Sequence, residues 1–384
     1  MSVTINGTTG IDTIQDGIVT TAKIAADAVT TPKIADTVNL GTRNRIINGL
    51  MLIDQRNSGG VWNAINGGYG LDRWKVNSFN GGAATGIFSV QRSTTAPDGF
   101  SHSLLVTSLA STADNTNNIF NVEQQIEGYN TFDLGFGTSS AKTITLSFWV
   151  RSSLTGTFGG AIKNSARNRA YPFTYTISSA NTFEYKTITI AGDTSGTWVG
   201  TSTSTGVWVS FGLGVGSSRS GTAGAWNSSD DFSATGATSV VGTSGATWYL
   251  TGVQLEAGDT ATSFEYENYT TTLSKCERYF QRSWHGGETG YPGQIVGVAT
   301  AADLLPVQVQ FRTQMRTTPT FTFYRNGTSG TVWNVVNTFS VSVTIAQAWY
   351  DRNGIGSILA TGGGSGPFGV NGAYGFDFDV DAEI

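Results

Sequence analysis

The fold is decided by a stretch in the second half of the chain, Trp248-Tyr-Leu-Thr-Gly-Val-Gln-Leu-Glu-Ala-Gly-Asp-Thr-Ala-Thr-Ser-Phe-Glu-Tyr-Glu267. Residues 248–255 have the composition of a strand, Gly258 and Asp259 are turn residues, and residues 263–266 are predicted to form a second strand. Apolar and aromatic residues then recur at steps of four, three and four, which is one stripe of a helix: Tyr269, Leu273, Cys276 and Phe280. We therefore expect two strands followed by a short linking helix over residues 269–283.

The composition of the whole chain is that of an all-β protein. Charged residues make up 13% of the 384 residues, about half of the ~25% that is usual for soluble proteins. Glycine is abundant, with 50 residues, which is typical of short strands joined by tight turns. The net charge of −5 argues against a nucleic-acid partner, because phosphate binding needs clustered lysine and arginine. No apolar run is long enough to cross a bilayer, so no membrane insertion is expected.

Strict alternation marks the strands upstream of this stretch. In residues 143–151 the apolar side chains fall on one face, and a second run repeats the pattern: Ile144, Leu146, Phe148, Val150, and Val207, Val209, Phe211, Leu213. Antiparallel sheets with one apolar face pack in pairs. Residues 44–268 are therefore predicted to form a jelly-roll β-sandwich, and residues 284–384 a smaller C-terminal β-sandwich domain.

Residues 1–43 differ from the rest of the chain. A repeat offset by ten residues, Val19-Thr-Thr-Ala-Lys-Ile-Ala25 and Val29-Thr-Thr-Pro-Lys-Ile-Ala35, places large apolar side chains at every fifth position: Ile14, Val19, Ile24, Val29 and Ile34. This period fits neither a helix nor a strand, and so few apolar groups cannot form a core alone. The segment is interpreted as an extended arm that associates with copies of itself or with another protein; a flexible tail is the alternative.

Several motifs occur in the order that one known family shows. They include Tyr69-Gly-Leu-Asp-Arg-Trp-Lys75, Gln124-Gln-Ile-Glu127, Gly252-Val-Gln-Leu-Glu-Ala-Gly258 and Cys276-Glu-Arg-Tyr-Phe-Gln-Arg282. Together, across residues 44–283, they resemble the carbohydrate-binding-module-like jelly roll of phage tail fibres and related virion proteins. The repeat in residues 1–43 likewise resembles the particle-attachment arms of phage fibres. The resemblance implies a virion appendage on the particle exterior, a homotrimer, and contact with other virion proteins through the arm.

Candidate glycan-binding residues are aromatic rings that are flanked by polar side chains, because rings stack on the apolar faces of sugars. Trp226 lies in a Gly/Ser/Asn-rich loop with Asn227 and Asp230 and is expected to be the better exposed candidate. Trp149 and Trp208 alternate with core positions, so they either line a groove or are covered by a neighbouring domain or subunit. Trp333, Trp349 and Tyr350 are the equivalent candidates in the C-terminal domain.

Catalytic and metal-binding signals are weak. Glu256, Glu265 and Glu267 are close in sequence but are expected to cap turns or pair with an arginine such as Arg73, and Asp72 and Arg73 are expected to pair with each other. We expect no enzyme activity and no cofactor. The alternating residues Asp377, Asp379 and Asp381 predict either a structural calcium site or a solvated strand face that resists edge pairing.

These observations favour a structural virion protein, a tail fibre or a head fibre, that adheres to host-surface glycans and catalyses no reaction. The alternatives are a capsid, collar or baseplate decoration protein that binds other virion proteins, and a polysaccharide depolymerase.

Overall fold

The computed structural model describes residues 43–113, 115–283, 295–298, 304–325, 328–329, 331–334, 339–342, 344–361 and 373–384. Within it, Arg43–Ile384 form one compact unit. The predicted arm over residues 1–43, with its five apolar positions, lies outside the described residues except for Arg43.

The regular structure of the described chain is almost all β-strand, with one short helix, which confirms the predicted all-β class. The strands are β1 Trp62–Asn63, β2 Tyr69–Leu71, β3 Trp74–Phe79, β4 Phe88–Ser93, β5 Ser103–Ser108, β6 Ile119–Glu127, β7 Ile144–Ser152, β8 Gly156–Asn164, β9 Ala170–Ile177, β10 Glu184–Ile190, β11 Thr205–Val215, β12 Ser220–Gly221, β13 Ser233–Ala234, β14 Thr247–Ala257, β15 Phe280–Arg282, β16 Ile295–Val298, β17 Leu304–Gln310, β18 Thr320–Arg325, β19 Thr328–Ser329, β20 Thr331–Asn334, β21 Phe339–Ser342, β22 Thr344–Tyr350, β23 Gly354–Thr361 and β24 Ala373–Asp381. The helical elements are α1 Tyr269–Glu277 and 3-10 turns at Gly128–Asn130 and Phe132–Leu134.

Two six-stranded sheets form a sandwich. The first sheet has the order β1-β4-β5-β14-β7-β10, and the second has the order β2-β3-β6-β11-β8-β9. Strand β14, which carries the stretch that opens the sequence analysis, lies in the first sheet between β5 and β7 and pairs antiparallel with both. The sandwich predicted for residues 44–268 is therefore present.

The core lies between these sheets and follows the alternation that the sequence shows. Ile144, Leu146, Phe148 and Val150 are all fully buried along β7. The Phe148 ring meets the Phe211 ring of the second sheet edge-on, with 5.1 Å between ring centroids. Such edge-to-face pairs add ~0.5–1.5 kcal/mol to the burial of their area.

The C-terminal strands form two further sheets. One has the order β19-β18-β24-β20-β21, with β15 and β16 also paired to β24, and the other has the order β17-β23-β22. Because β15 follows α1 directly, it joins the end of the sandwich sequence to the last strand of the chain: Phe280, Gln281 and Arg282 pair with Asp381, Val380 and Asp379.

Two local predictions are wrong. The linking helix ends at Glu277 rather than at residue 283, because residues 280–282 take up sheet hydrogen bonds instead. Residues 263–266 are not a strand. Their segment is held by side chains in place of a strand ladder: Glu256 accepts the backbone N–H of Thr262 at 2.9 Å, and Gln254 accepts that of Glu265 at 2.9 Å.

Buried charges hold the C-terminal residues on the sandwich. Arg73 donates to Glu383. Arg282 forms two hydrogen bonds to Asp379, of 2.8 and 2.9 Å, and also donates to the backbone carbonyls of Gln55 and Arg56 at 3.0 and 2.9 Å. The predicted Asp72–Arg73 pair is therefore wrong. Asp72 instead accepts two hydrogen bonds of 2.7 Å from Gln55, which lies in the turn before β1.

Cys276 is buried on α1, and burial raises its pKa well above the ordinary range, in line with a structural thiol. None of the helices that the structure describes has the length and apolar composition needed to cross a membrane.

Candidate functional site

Five aromatic side chains form a continuous band on the outer face of the first sheet. We define the aromatic band as Tyr266, Phe264, Phe100, Trp149 and Tyr185. Neighbouring ring centroids are 5.1 Å apart for Phe264 and Tyr266, 5.5 Å for Phe100 and Phe264, 6.4 Å for Phe100 and Trp149, and 5.4 Å for Trp149 and Tyr185. The two end rings are the most open, with Tyr266 56% exposed and Tyr185 44% exposed.

The strand register sets the direction of these rings. Trp149 of β7 lies opposite Thr251 of β14 and Tyr185 of β10. Side chains directly opposite each other in an antiparallel sheet share a face. The flanking residues on β7, Phe148 and Val150, point into the core. Alternation therefore leaves Trp149 and Tyr185 on the face that no strand of the sandwich covers.

A glycine on β14, Gly252, leaves room for Phe100 to lie close to Trp149. Gly252 follows Thr251 at an irregularity in the β14–β7 register and has a φ of +59°. A Cβ atom at this position would lie 2.8 Å from Phe100 Cε1 and 3.1 Å from Trp149 Cδ1. The absence of a side chain here therefore allows the Phe100 ring to approach Trp149.

One arginine lies beside the band on the same face. Arg151 is two residues beyond Trp149 on β7 and opposite Tyr249 of β14. Its Cζ is 4.8 Å from the centroid of the Tyr249 ring and 5.9 Å from that of the Phe183 ring. A guanidinium packed beside two rings supplies the fixed polar donor that a ring-stacked ligand needs for orientation.

Trp226, the candidate that was expected to be more exposed, belongs to a second aromatic cluster. Its ring centroid is 5.3 Å from that of Tyr171, 5.5 Å from Trp198 and 5.9 Å from Phe136. Its indole N–H donates to the Ala191 carbonyl at 2.7 Å. The ring is partly buried against the hydrophobic core. Because its ring packs against other aromatic rings and its indole N–H is hydrogen-bonded, Trp226 has the environment of a residue that stabilises the fold.

The polar neighbours of Trp226 are also engaged. The Asn227 amide donates to Asp231 at 2.7 Å. Asp230 accepts from three cations, at 3.1 Å from Lys163, 3.0 Å from Arg219, and also from Arg167. The Asn227 amide and the Asp230 carboxylate are therefore both bound by partners in the same chain.

Trp208 lies over this charge cluster. The Lys163 ammonium is 4.6 Å from the Trp208 ring centroid and 3.1 Å from that of Phe232. Lys163 is fully buried, and burial lowers its pKa to about 8, although Glu123 and Asp230 act to raise it. Part of the Trp208 face is thus occupied by a cation of the same chain.

The aspartates of the last strand have partners of their own. Asp379 accepts from Arg282, Asp381 accepts from Arg56 at 3.0 Å, and Asp377 accepts from the Ser283 hydroxyl at 3.2 Å. Within the described part of the chain, no three or more His, Cys, Asp or Glu side chains converge as a metal site would require. Asp381 is thus paired with Arg56 of the sandwich, whereas Asp377 and Asp379 are paired with residues at the end of β15 in their own sheet.

The three glutamates that the sequence offers for catalysis act within the chain. Glu256 accepts from Gln254 and Thr262, Glu265 accepts the backbone N–H groups of residues 43 and 44, each at 2.8 Å, and Glu267 pairs with Lys275. None of the three contacts Arg73, whose carboxylate partner is Glu383.

The remaining candidates cannot be placed at the level of side chains. Trp333 lies on β20, and Trp349 and Tyr350 lie on β22, but their side chains fall outside the described residues. Sequence reasoning selected Trp149 and missed Phe100, Phe264 and Tyr266. Alternation around Trp149 could also have pointed to Tyr185 and Arg151.

Comparison with known proteins gives distant likenesses of shape. No family model matches the chain, and no curated protein matches it. Among solved structures, the enzymatically active domain of bacteriophage CBA120 tailspike protein 4 is 13% identical, with a TM-score of 0.30; the match covers 56% of this chain and 21% of that chain. This chain therefore spans about a fifth of the tailspike chain.

Two smaller domains are matched over their whole length. The N-terminal cellulose-binding domain of Cellulomonas fimi β-1,4-glucanase C is 16% identical, with a TM-score of 0.24, over 52% of this chain and 100% of that one. A xylan-binding domain from Paenibacillus barcinonensis is 9% identical, with a TM-score of 0.25, over 53% of this chain and 99% of that one. All three TM-scores lie below 0.5, so the likeness is partial.

Proposed function

We propose that this chain is a non-catalytic virion appendage protein whose sandwich binds host-surface glycans at the aromatic band. The observation that carries the proposal is the open run of rings on the outer face of the first sheet, from Tyr266 to Tyr185. Sugar rings present flat patches of C–H groups, and aromatic rings held on strands supply matching apolar surfaces without needing to reorganise.

The chemistry around the band favours a sugar over a protein partner. The outward positions that alternate with Ile188 on β10 are Thr187 and Thr189, and both are exposed. The most open rings are tyrosines, which carry a hydroxyl. Threonine and tyrosine hydroxyls beside exposed rings can hydrogen-bond the hydroxyl groups of a stacked sugar, as glycan binding requires.

The assembly of the appendage belongs to the same proposal. Segment 1–43 fastens the sandwich to the particle and joins three copies, as its repeat and its resemblance to attachment arms suggest. Single aromatic sugar sites bind weakly, and three copies on one fibre multiply the avidity by linking the binding events. Light scattering of the full-length protein is expected to give three times the chain mass, and antibodies are expected to label the outside of intact particles.

The absence of catalysis is supported by the use of Glu256, Glu265 and Glu267 as internal acceptors. Incubation of host polysaccharide with the full-length protein is expected to release no new reducing ends. Release of oligosaccharide would support the depolymerase alternative instead.

The test of glycan binding compares two tyrosines of similar exposure. Tyr185 is 44% exposed within the band, and Tyr129 is 52% exposed outside it. Full-length protein is applied to a microarray of bacterial surface glycans. Tyr185→Ala and Trp149→Ala are expected to weaken binding about tenfold or more, which corresponds to ~1.4 kcal/mol per site, whereas Tyr129→Ala leaves binding unchanged.

Two results would overturn the proposal. The first is an absence of binding to every glycan, which would favour the decoration-protein alternative. The second is equal loss of binding for Tyr185→Ala and Tyr129→Ala. A Trp226→Ala variant is expected to lower thermal stability, because it opens the second aromatic cluster.

A further inference from the structure

Arg151 differs from most arginines of the described chain in its lack of a polar partner. Its Nε is buried, and neither a hydrogen bond nor an ion pair to another described residue satisfies the side chain. Most other arginines pair with carboxylates, namely Arg45, Arg56, Arg73, Arg167, Arg169, Arg219, Arg278, Arg282 and Arg312.

Two neighbouring rings restrict this guanidinium. The Arg151 Cζ lies 4.8 Å from the Tyr249 centroid and 5.9 Å from the Phe183 centroid, and the two rings contact each other edge to face, with 6.1 Å between their centroids. Ring stacking limits its rotamers and removes part of its hydration without supplying a counter-charge. A restrained, partly dehydrated arginine forms bidentate hydrogen bonds to a carboxylate at a smaller loss of entropy than a free one.

The position of Arg151 relates it directly to the aromatic band. It lies two residues from Trp149 on the same face of β7, which is about 7 Å along a strand. When a sugar ring stacks on Trp149 and Tyr185, either a substituent of that ring or the next sugar of the glycan would lie next to the Arg151 guanidinium. Strand β7 thus carries a stacking platform followed by a cation.

We propose that the aromatic band takes an acidic glycan, with a sugar carboxylate bound by Arg151 while the sugar stacks on Trp149 and Tyr185. This inference rests on the proposed glycan-binding function and narrows it to polysaccharides that contain uronic or sialic acids. Neutral glycans bind through the rings alone and are held less tightly. Because the added interaction is between charges at a half-open surface, it weakens as salt is raised.

The experiment uses full-length protein and matched pairs of immobilised glycans. Polygalacturonate, alginate, hyaluronate and polysialic acid are each tested beside their carboxyl-reduced forms, which keep the sugar rings and lose the charge. The acidic member of a bound pair is expected to bind about tenfold or more tightly at low salt. Arg151→Gln is expected to abolish this preference while binding to the reduced form persists, and Arg151→Lys is expected to retain part of it.

A control separates the site from net charge. Lys142→Gln removes the same charge at an exposed position and is expected to keep the preference intact. Thermal unfolding of each variant establishes that it is folded, and Arg151→Lys keeps the test valid if Arg151→Gln does not fold.

Each result decides between the two proposals. Equal binding of acidic and reduced forms by the native protein overturns the carboxylate site and leaves glycan binding standing. Parallel loss of both forms in Arg151→Gln overturns it as well, since the arginine would then only support the rings. No binding to any member of the panel overturns the proposed function itself.

Discussion

Arg73 and Glu383 form an ion pair between residues that are 310 positions apart in the chain. Their side chains are 1% and 4% exposed. The Arg73 guanidinium also lies over the Tyr279 ring, with its Cζ 3.5 Å from the centroid. Burial acts to lower the pKa of Arg73, but Glu383, Tyr279 and Tyr69 together outweigh it, and the pKa is raised. The last residues of the chain are thereby fixed to the sandwich.

Removing the charge of Glu383 is expected to destabilise the protein strongly. Glu383→Gln leaves Arg73 buried without its counter-charge, and breaking a buried pair in this way costs about 3–5 kcal/mol. Urea unfolding measures the loss. Asp133→Asn is the control, because it breaks the Arg45–Asp133 pair, whose side chains are 21% and 33% exposed, and the expected loss is below about 1 kcal/mol. Similar losses for the two variants would contradict this account of the junction.

Two buried threonines on the first sheet are expected to respond in opposite directions to the same substitution. The Thr251 hydroxyl is buried without a hydrogen-bond partner among the described residues. The Thr145 hydroxyl donates to the Gly258 carbonyl at 2.9 Å. Thr251→Val replaces an unsatisfied polar group by a methyl of the same shape and is expected to stabilise by about 1 kcal/mol. Thr145→Val is expected to destabilise by about 1 kcal/mol, as measured by chemical unfolding. Destabilisation by both variants would indicate that Thr251 does have a partner.

Gly252 is expected to matter for the band as well as for stability. Gly252→Ala introduces a Cβ 2.8 Å from Phe100 Cε1 at a φ of +59°. Gly245 has a φ of +77° and open space around its missing Cβ, so Gly245→Ala adds only the backbone strain of about 1–2 kcal/mol. Gly252→Ala adds overpacking of a further ~1–3 kcal/mol and is expected to lower glycan binding, because Phe100 must move away from Trp149. Unchanged binding would show that Phe100 has no part in the site.

The sandwich could be predicted from the sequence because alternation is a local signal. The run Ile144, Leu146, Phe148 and Val150 identifies a core face without knowledge of any neighbour, and all four residues are fully buried. The failed predictions concern segments whose hydrogen bonds are made elsewhere. Residues 263–266 resemble a strand, but Ser263 and Glu265 bond to the Gln254 side chain of β14. Residues 280–282 leave the helical pattern because β24 pairs with them.

The candidate site could be predicted only in part. Alternation shows that Trp149 points away from the core, but it cannot show that Phe100, from the segment between β4 and β5, lies beside it. The same limit applies to Trp226, which the sequence places in an open loop and the structure packs against Tyr171 and Trp198. Ring neighbours from separate elements depend on loop paths that local patterns do not determine.

Lys163 is expected to give the protein an unusual dependence of stability on pH. Its ammonium is fully buried, and burial lowers its pKa from 10.5 to about 8 in the folded protein. Between these two pH values the unfolded chain binds the proton more fully than the folded protein does, so the free energy of unfolding rises with pH. The rise in the free energy of unfolding from this one group is limited to about 3 kcal/mol. Below pH 8 Lys163 is buried in its charged form, which destabilises the folded protein.

Comparison with Lys163→Met isolates this effect from every other group that titrates. Asp230 retains Arg167 and Arg219 in the variant, and the buried Glu123 retains its hydrogen bonds from Asn121 and Gln125. The variant is therefore expected to be at least as stable as the native protein at pH 7. Guanidinium unfolding at pH 7, 8, 9 and 9.5 is expected to show the native protein gaining stability relative to Lys163→Met as pH rises. Lys142→Met, at a lysine that is 53% exposed, is expected to keep the native slope. Parallel curves for the native protein and Lys163→Met would mean that Lys163 carries its charge at no penalty, with Asp230 and Glu123 fully offsetting the loss of hydration.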